Sequence, residues 1–438
     1  MATSQKEPFE LYVREIETLV QRLITDPNSH SKRSSIKAIL DGQPAARLRD
    51  AIPLAARRDG GAFFTGSRLA RRLVNQGLGE ISSDTLIADI GCGAGDLLLA
   101  SARKLPLAAD LPETLRLWSS RLMGFDIRPE FVRAAKARLT LLAIDRGHRL
   151  WKKNVPAASD FFNMVRQQDF LSCPDAIADA SHIVINPPYT QMMAPADCAW
   201  ANNKVSAAAV FTDSCVSHAS PGTQVAAILP DVLRSGSNYE KWRKHIESQS
   251  QELRITTFGQ FDKWTDIHVF LLTLSKSKAP NSHKTHWWKS VKHPKNGKVG
   301  DYFDVHVGPV VPHRHAHKGP STAYLRTKPL PRCTMVKRIA ERRRFDGTLF
   351  QPPFVAVRRT SRPGDKRAVA TIILGKRQVA VENHLIVFLP KNNKLSQCKN
   401  LLGVLKSRKT DQWLNNRIRC RHLTVCSLNE LPWWSFNK

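Results

Sequence analysis

Apolar residues along the chain change rhythm repeatedly, and the changes mark its elements. Residues 1–60 space their apolar positions as helices do and end near Asp59-Gly60-Gly61, a turn-prone junction. In FFTGSRLARRLVNQGL, Leu69, Leu73 and Leu78 fall on one face of a further helix. TLIADIG then reads as a short buried strand, and LLLASARKL as the helix after it. The alternation continues with LMGFDI (strand), PEFVRAAKARLTLLAI (helix), HIVINPPY (strand) and AAAVFTDSCVSHA (helix). TQVAAILP (strand), SNYEKWRKHIES (helix), LRITTFGQF and HVFLLTLS (both strands) complete it. Strands that alternate with helices predict a doubly wound α/β sheet with helices on both faces. Its ligand belongs at the strands' carboxyl ends.

Beyond Ser275 the texture changes. SKSKAPNSHKTHWWKSVKHPKNGK has no period and many breakers, so a boundary is placed there. The remainder is β-rich (PFVAVRRT, AVATIILG, RQVAVENHLIVFLP) with a helical CKNLLGVLKSRKTDQWLNNRI near the end. The expected organisation is a helical segment at 1–60, a ligand-binding α/β domain at 61–275 and a separate domain at 276–438. Asn383-His384 is expected inside a strand, packed in the core or against another domain.

Charge sharpens this division. Residues 276–438 hold 34 Lys and Arg against 8 Asp and Glu, whereas residues 1–275 hold 33 against 29. A polycation confined to one region suits a surface that neutralises phosphates and releases their counterions. An acidic membrane surface fits less well, because the basic residues alternate with strand-like runs instead of lining one helix face. No run of about 18 apolar residues predicts a membrane span, and the first residues lack the apolar core of a signal peptide. The 8 cysteines are scattered without a C-x-x-C pair, as expected of a chain in a reducing cytosol. Cys420, His422 and Cys426 match no standard zinc spacing.

The glycine loop carries the first chemistry. In Asp89-Ile90-Gly91-Cys92-Gly93-Ala94-Gly95 the glycines let backbone approach a ligand closely. Asp96 stands where a dinucleotide fingerprint needs a sixth-position glycine, so that fingerprint is broken. An acidic residue before the glycines disfavours phosphate and suits a cationic amino-acid moiety, as in S-adenosylmethionine. Asp126 ends the next strand and can accept hydrogen bonds from ribose hydroxyls. Asp169, in QQDFL, could accept from an adenine amine.

Asn186-Pro187-Pro188-Tyr189 is the sharpest motif. Two prolines stop the strand in a rigid turn that lacks backbone donors at 187 and 188. An amine conjugated to a ring is a poor nucleophile because its lone pair is delocalised. The Asn186 side-chain oxygen and the Pro187 carbonyl can each accept one of its N–H groups and draw the nitrogen toward tetrahedral geometry. Tyr189 would stack on the base. Positioning and electrostatics suffice, with no covalent intermediate and no metal.

These motifs resemble those of the N6-adenine DNA methyltransferases, in the subgroup with cofactor motif X first and the target-recognition domain last. FFTGSRLARRLV resembles motif X, DIGCGAG motif I, GFDIRP motif II, QDFL motif III and NPPY motif IV. The resemblance covers roughly residues 60–275 and implies a Rossmann-like class I methyltransferase sheet followed by a basic β-rich recognition domain. It implies that Thr65 and its neighbours line the methionine part of S-adenosyl-L-methionine. Gly66 departs from the pattern, which usually has proline there. PLAADLPETLRLW is an apparent insertion between motifs I and II. The resemblance also implies an aromatic ring that sandwiches the flipped base, supplied by Phe261 or Trp264.

The implied partner is double-stranded DNA, with a separate restriction endonuclease for any cleavage. Arg314, in GPVVPHRHAHKG, and Arg358, Arg359 and Arg362, in VRRTSRPGDKR, are the candidate DNA contacts. His313, His315 and His317 could instead hold a metal, but a DNA-facing or solvated loop is the better reading. The rivals are an RNA adenine methyltransferase and a DNA-binding protein that keeps the fold without the catalysis. The charge asymmetry disfavours a protein glutamine as acceptor.

Overall fold

The computed structural model describes residues 7–26, 33–147, 161–262, 264–280, 285–288, 297–328 and 330–434. The chain divides into two compact units, residues 1–230 with 241–285, and residues 231–240 with 286–438.

The first unit is built on a seven-stranded sheet: β1 (Ile87–Ile90), β2 (Leu122–Asp126), β3 (Val165–Gln167), β4 (His182–Ile185), β5 (Gln224–Pro230), β6 (Ser250–Gln260) and β7 (His268–Lys276). They lie in the order β3-β2-β1-β4-β5-β7-β6. β3, β2, β1, β4 and β5 pair in parallel, and β7 runs antiparallel to both of its neighbours. The central strands IADI and HIVI are apolar apart from Asp89 and His182, because both faces of a parallel sheet are covered. The path leaves β1 toward β2 and β3, then returns to place β4 on the opposite side of β1. Where it reverses, a crevice opens at the carboxyl ends of β1 and β4. Glycine loop and Pro-Pro turn both begin there.

Helix Ser67–Gly77 buries Leu69 and Leu73, and Leu78 is buried just beyond its end, as their spacing predicts. The apparent insertion between motifs I and II contains a regular helix, Leu111–Ser119. Asp110 caps it by accepting from the Glu113 N–H at 2.8 Å, and Leu111, Leu115 and Trp118 are buried. The sequence carried this signal as an Asp cap followed by Pro112 and Glu113. Helices Glu7–Thr25, Arg33–Ile39, Gln43–Ala51 and Leu54–Asp59 precede the sheet. The first three share its hydrophobic core: Phe9 meets Phe131 edge-on at 5.2 Å.

Among the described residues the second unit holds eight strands, β8 (Phe303–Val307), β9 (Ser321–Leu325), β10 (Met335–Val336), β11 (Arg342–Arg344), β12 (Phe354–Arg358), β13 (Ala370–Ile373), β14 (Val379–Val381) and β15 (Leu385–Pro390). One sheet has the order β8-β15-β12-β13-β10, and a smaller one β11-β9-β14. Strand alternation assigns each face: Val355 and Val357 join the core under helices Leu395–Lys406 and Arg408–Arg417, whereas Phe354 and Ala356 face a second cluster. The single helix expected near the end is thus two, with Ser407 capping the second through the Lys409 N–H.

Two expectations need correction in this unit. Asn383 and His384 form the turn between β14 and β15 and are not inside a strand. Residues 231–240 belong to this unit although they fall within 61–275. Asp231 accepts from Arg234 Nε at 2.7 Å, Ser235 Oγ at 3.0 Å and the Arg419 amide at 2.8 Å, and Arg417 donates to the Ser235 carbonyl at 3.3 Å. Buried polar partners, which leave no mark on hydrophobic periodicity, decide where this short segment packs. Cys420 faces Asp231 and Ser235, His422 meets Thr360, and Cys426 lies against Glu430 and Arg417, so these three do not converge as zinc ligands.

Candidate active site

Asp89 sits in β1 with 1 % of its surface exposed. Among the described residues neither carboxylate oxygen has a hydrogen-bond partner of good geometry, and the Leu98 amide offers only a weak offset. Burial, followed by the charges of Asp126 and Asp96, pushes its carboxyl well above the usual range. A buried carboxylate without partners is costly in its ionised form, and a positive charge beside it would offset that cost. Asp89 lines a small cavity with Thr65, Gly91, Gly93, Asp96 and Asn186.

The loop around it uses positive φ at Gly91 (78°), Gly93 (52°) and Gly95 (86°). A Cβ at Gly91 would meet nothing within 4 Å, so that position is left open toward a ligand. Gly95 lines neither cavity of the site; a Cβ there would come within 2.9 Å of Ala135, and its role is close helix packing.

Asp126 ends β2. Its Oδ2 accepts from the Gly93 N–H and its Oδ1 from the Arg128 N–H, each at 2.9 Å. Burial still outweighs these bonds and raises its pKa. Asp126, Asp169, Asn186 and Pro188 line a second cavity that shares Gly91, Gly93, Phe63 and Phe64 with the first. Asp169 uses its carboxylate to cap the turn Phe170–Ser172, accepting from the Leu171 amide at 3.1 Å and Ser172 Oγ at 3.2 Å. Sequence reasoning missed Phe63, Phe64 and Ile127. The signal for Ile127, which is 62 % exposed, was an apolar residue placed directly after a strand-ending aspartate.

At the carboxyl end of β4, Asn186 is held from both sides. Its Nδ2 donates to Thr65 Oγ1 at 3.0 Å, and its Oδ1 accepts from the Tyr189 hydroxyl at 2.9 Å. That hydroxyl also lies 3.2 Å from the Ile228 carbonyl, and burial raises its pKa well above the ordinary phenol value. Pro187 is buried. Phe261, 7 % exposed, meets the Tyr189 ring edge-on, with centroids 5.9 Å apart and planes at 77°. Trp264 is 54 % exposed, with the Arg49 guanidinium 5.2 Å from its ring centre.

In the second unit the four candidate arginines differ. Arg314 and Arg362 are exposed. Arg358 and Arg359 are half-buried and donate to the carbonyls of Leu330 (2.9 Å) and Asn383 (3.4 Å). Sequence reasoning passed over ERRRF, where Arg342 and Arg344 are exposed on β11. Between them Arg343 turns inward and donates to the His315 carbonyl at 2.6 Å, beneath the loop that carries Arg314. Among the described residues no three His, Cys, Asp or Glu side chains group as metal ligands would, and no helix is long and apolar enough to cross a membrane.

A comparison with curated proteins finds no match. Among solved structures the chain is similar to a modification subunit assigned to a type I restriction enzyme of Vibrio vulnificus, at 16% identity and a TM-score of 0.39, covering 61% of this chain and 50% of that one. The type IIG restriction endonuclease BpuSI aligns at 14% identity with a TM-score of 0.45, covering 98% of this chain and 66% of its own. The M protein of the type I restriction enzyme EcoKI aligns at 14% identity with a TM-score of 0.37, covering 63% and 65%. The chain thus spans about half the length of the Vibrio protein and about two thirds of the other two. The profile of the N-6 DNA Methylase family matches residues 52–296, which takes in the glycine loop, Asp126, the NPPY turn and all seven strands of the first sheet. The chain belongs to the N-6 DNA methylase family.

Proposed function

We propose that the chain transfers a methyl group from S-adenosylmethionine to the N6 amine of adenine in double-stranded DNA. The observation that carries this reading is that an unpaired, buried Asp89 carboxylate and a doubly anchored Asn186 amide line one cavity. S-adenosylmethionine, when bound, supplies an electrophilic methyl group on a positively charged sulfur. The residues present suit it. Asp89 offers an uncompensated negative charge to its cationic amino-acid end, and Gly91 and Thr65 leave and line the space beside that charge. Asp126 keeps a lone pair on each oxygen for ribose hydroxyls. Asp169 and Ile127 flank the place for the adenine ring.

The substrate amine gives its two N–H groups to Asn186 Oδ1 and the Pro187 carbonyl. Its lone pair is thereby freed from the ring and aimed for in-line displacement. Because N6 is paired inside a duplex, the base must leave the helix first. Tyr189 and Phe261 supply the aromatic surfaces that receive it. The basic unit grips phosphates through the exposed Arg314 and Arg362, with Arg342 and Arg344 added, which stay exposed while donating to the Ser321 and Gly319 carbonyls. Arg358 and Arg359 brace the strand ends through their carbonyl bonds. Cleavage of DNA, where it accompanies this activity, falls to a separate restriction endonuclease.

The test is to incubate purified protein with methyl-labelled donor and duplex DNA and to analyse the nucleosides. Label in N6-methyladenine is expected; label confined to RNA or protein overturns the reading. Asn186→Ala should lower kcat by about a thousandfold while leaving cofactor affinity within about threefold, since this side chain stabilises charge only as it develops.

A further inference from the structure

We propose that Thr65 is a positioning residue for Asn186, held in place by the buried Asp96–Arg138 ion pair; this rests on the methyl-transfer reading above. The two ends of a side-chain amide have nearly the same shape, yet only the oxygen end can accept an N–H from the target amine. An Asn186 turned the other way would present donor to donor. Thr65 Oγ1 takes the Nδ2 end at 3.0 Å, the Tyr189 hydroxyl takes one lone pair of Oδ1 at 2.9 Å, and one lone pair remains for the substrate.

Thr65 is itself fixed from below. The next residue, Gly66, has φ 74° and precedes helix Ser67–Gly77 with no side-chain cap. Its N–H instead donates to Asp96 Oδ2 at 2.7 Å. Asp96 Oδ1 pairs at 3.0 Å with Nη2 of Arg138, which is fully buried in helix Pro129–Asp145. Arg138 also donates to the carbonyls of Ile39 (2.9 Å) and Ala94. One guanidinium thus ties together the helices before the sheet, the glycine loop and the Thr65-Gly66 turn.

Two departures noted in the sequence explain each other here. Proline at position 66 would have neither the N–H that Asp96 accepts nor access to a φ of 74°. Gly66 and Asp96 therefore work as a pair, and the glycine loop differs from a dinucleotide fingerprint at the position that secures the turn.

Thr65→Val keeps the shape and removes the acceptor; Thr65→Ser restores it. With duplex DNA and S-adenosylmethionine, Thr65→Val should lose about tenfold or more in kcat, with both KM values within about threefold, and Thr65→Ser should recover nearly all of it. The second readout needs no catalysis. In protein labelled with 15N-asparagine, the Asn186 side-chain N–H pair, identified by its loss in Asn186→Asp, should shift in Thr65→Val and return in Thr65→Ser. Should the valine variant not fold, Thr65→Ala takes its place in both measurements. Wild-type kcat in the valine variant, or an unmoved Asn186 signal, overturns the proposal. If the wild-type protein methylates no adenine, the functional reading fails while the amide signal still decides what Thr65 does.

Discussion

Two aspartates, each 1 % exposed, are buried in opposite ways. Asp231 is saturated: Arg234, Ser235 and the Arg419 amide all reach it within 3.0 Å. Asp89, three residues into β1, has an acceptor pair that the described residues leave without well-formed partners. A compensated buried charge is architecture, because its removal strands the partner it held. An uncompensated one costs the fold energy in its ionised form and persists where a ligand completes it.

The largest effect that could break this contrast belongs to Asp231. Asp231→Ala leaves the fully buried Arg234 guanidinium without its carboxylate and should cost about 3–5 kcal/mol of stability. Chemical denaturation of the second unit's transition reads it, and a loss under about 1 kcal/mol would place Asp231 in the same class as Asp89.

Asp89→Asn should behave in the opposite sense. Its carboxyl binds a proton more tightly in the folded chain than in the unfolded one, so stability is lost as pH rises from the usual carboxylate range through the raised value. The amide escapes that penalty, and its melting temperature at neutral pH should equal or exceed that of the wild type. Affinity for S-adenosylmethionine should nonetheless fall by about tenfold to a hundredfold, the worth of a charged hydrogen bond. A melting temperature lowered by the substitution would contradict the assignment.

A finer measurement uses the same shift. Below the raised pKa, a cationic ligand must displace a proton from Asp89. Affinity should therefore weaken as pH falls through a window above the ordinary aspartate range, with proton release visible as a buffer-dependent heat of binding. In Asp89→Asn the heat of binding should depend on the buffer less than in the wild type.

The smallest effect extends the contrast to arginines. Arg314→Ala should reduce the slope of DNA affinity against salt by about one unit and leave stability untouched. Arg358→Ala, which breaks a bond to the Leu330 carbonyl, should lower stability by about 1 kcal/mol with the slope unchanged. The reverse pattern would exchange their roles.

Much of the fold was legible because burial writes itself into spacing. The runs IADI, HIVI and QVAAILP announced central strands, and Leu69, Leu73 and Leu78 announced a helix face. Glycine loop and NPPY turn were legible as chemistry because few other constraints demand those residues together. Polar contacts between distant residues escaped it. Nothing local to Asp231, Arg234 and Ser235 says that their partners lie at 416–420. The half-burial of Arg358 and Arg359 was not legible either, because a sequence does not tell an exposed cation from a half-buried one bonded to a carbonyl. The hold of Thr65 on Asn186 spans 121 positions and has no signature in either segment.

The assignment of residues 231–240 to the basic unit has a consequence for evolution and for engineering. The polypeptide enters that unit at 231, leaves after 240 and re-enters at 286, so the two units are interleaved along the chain and not strung in series. No single cut separates them. A fragment ending at residue 285 would carry the Asp231–Arg234 pair without the Arg419 amide and Asn416 carbonyl that complete it. Replacing the second unit by one crossover would inherit the same mismatch. Any exchange of the second unit requires the ten-residue segment 231–240 to travel with it or be refitted to its replacement.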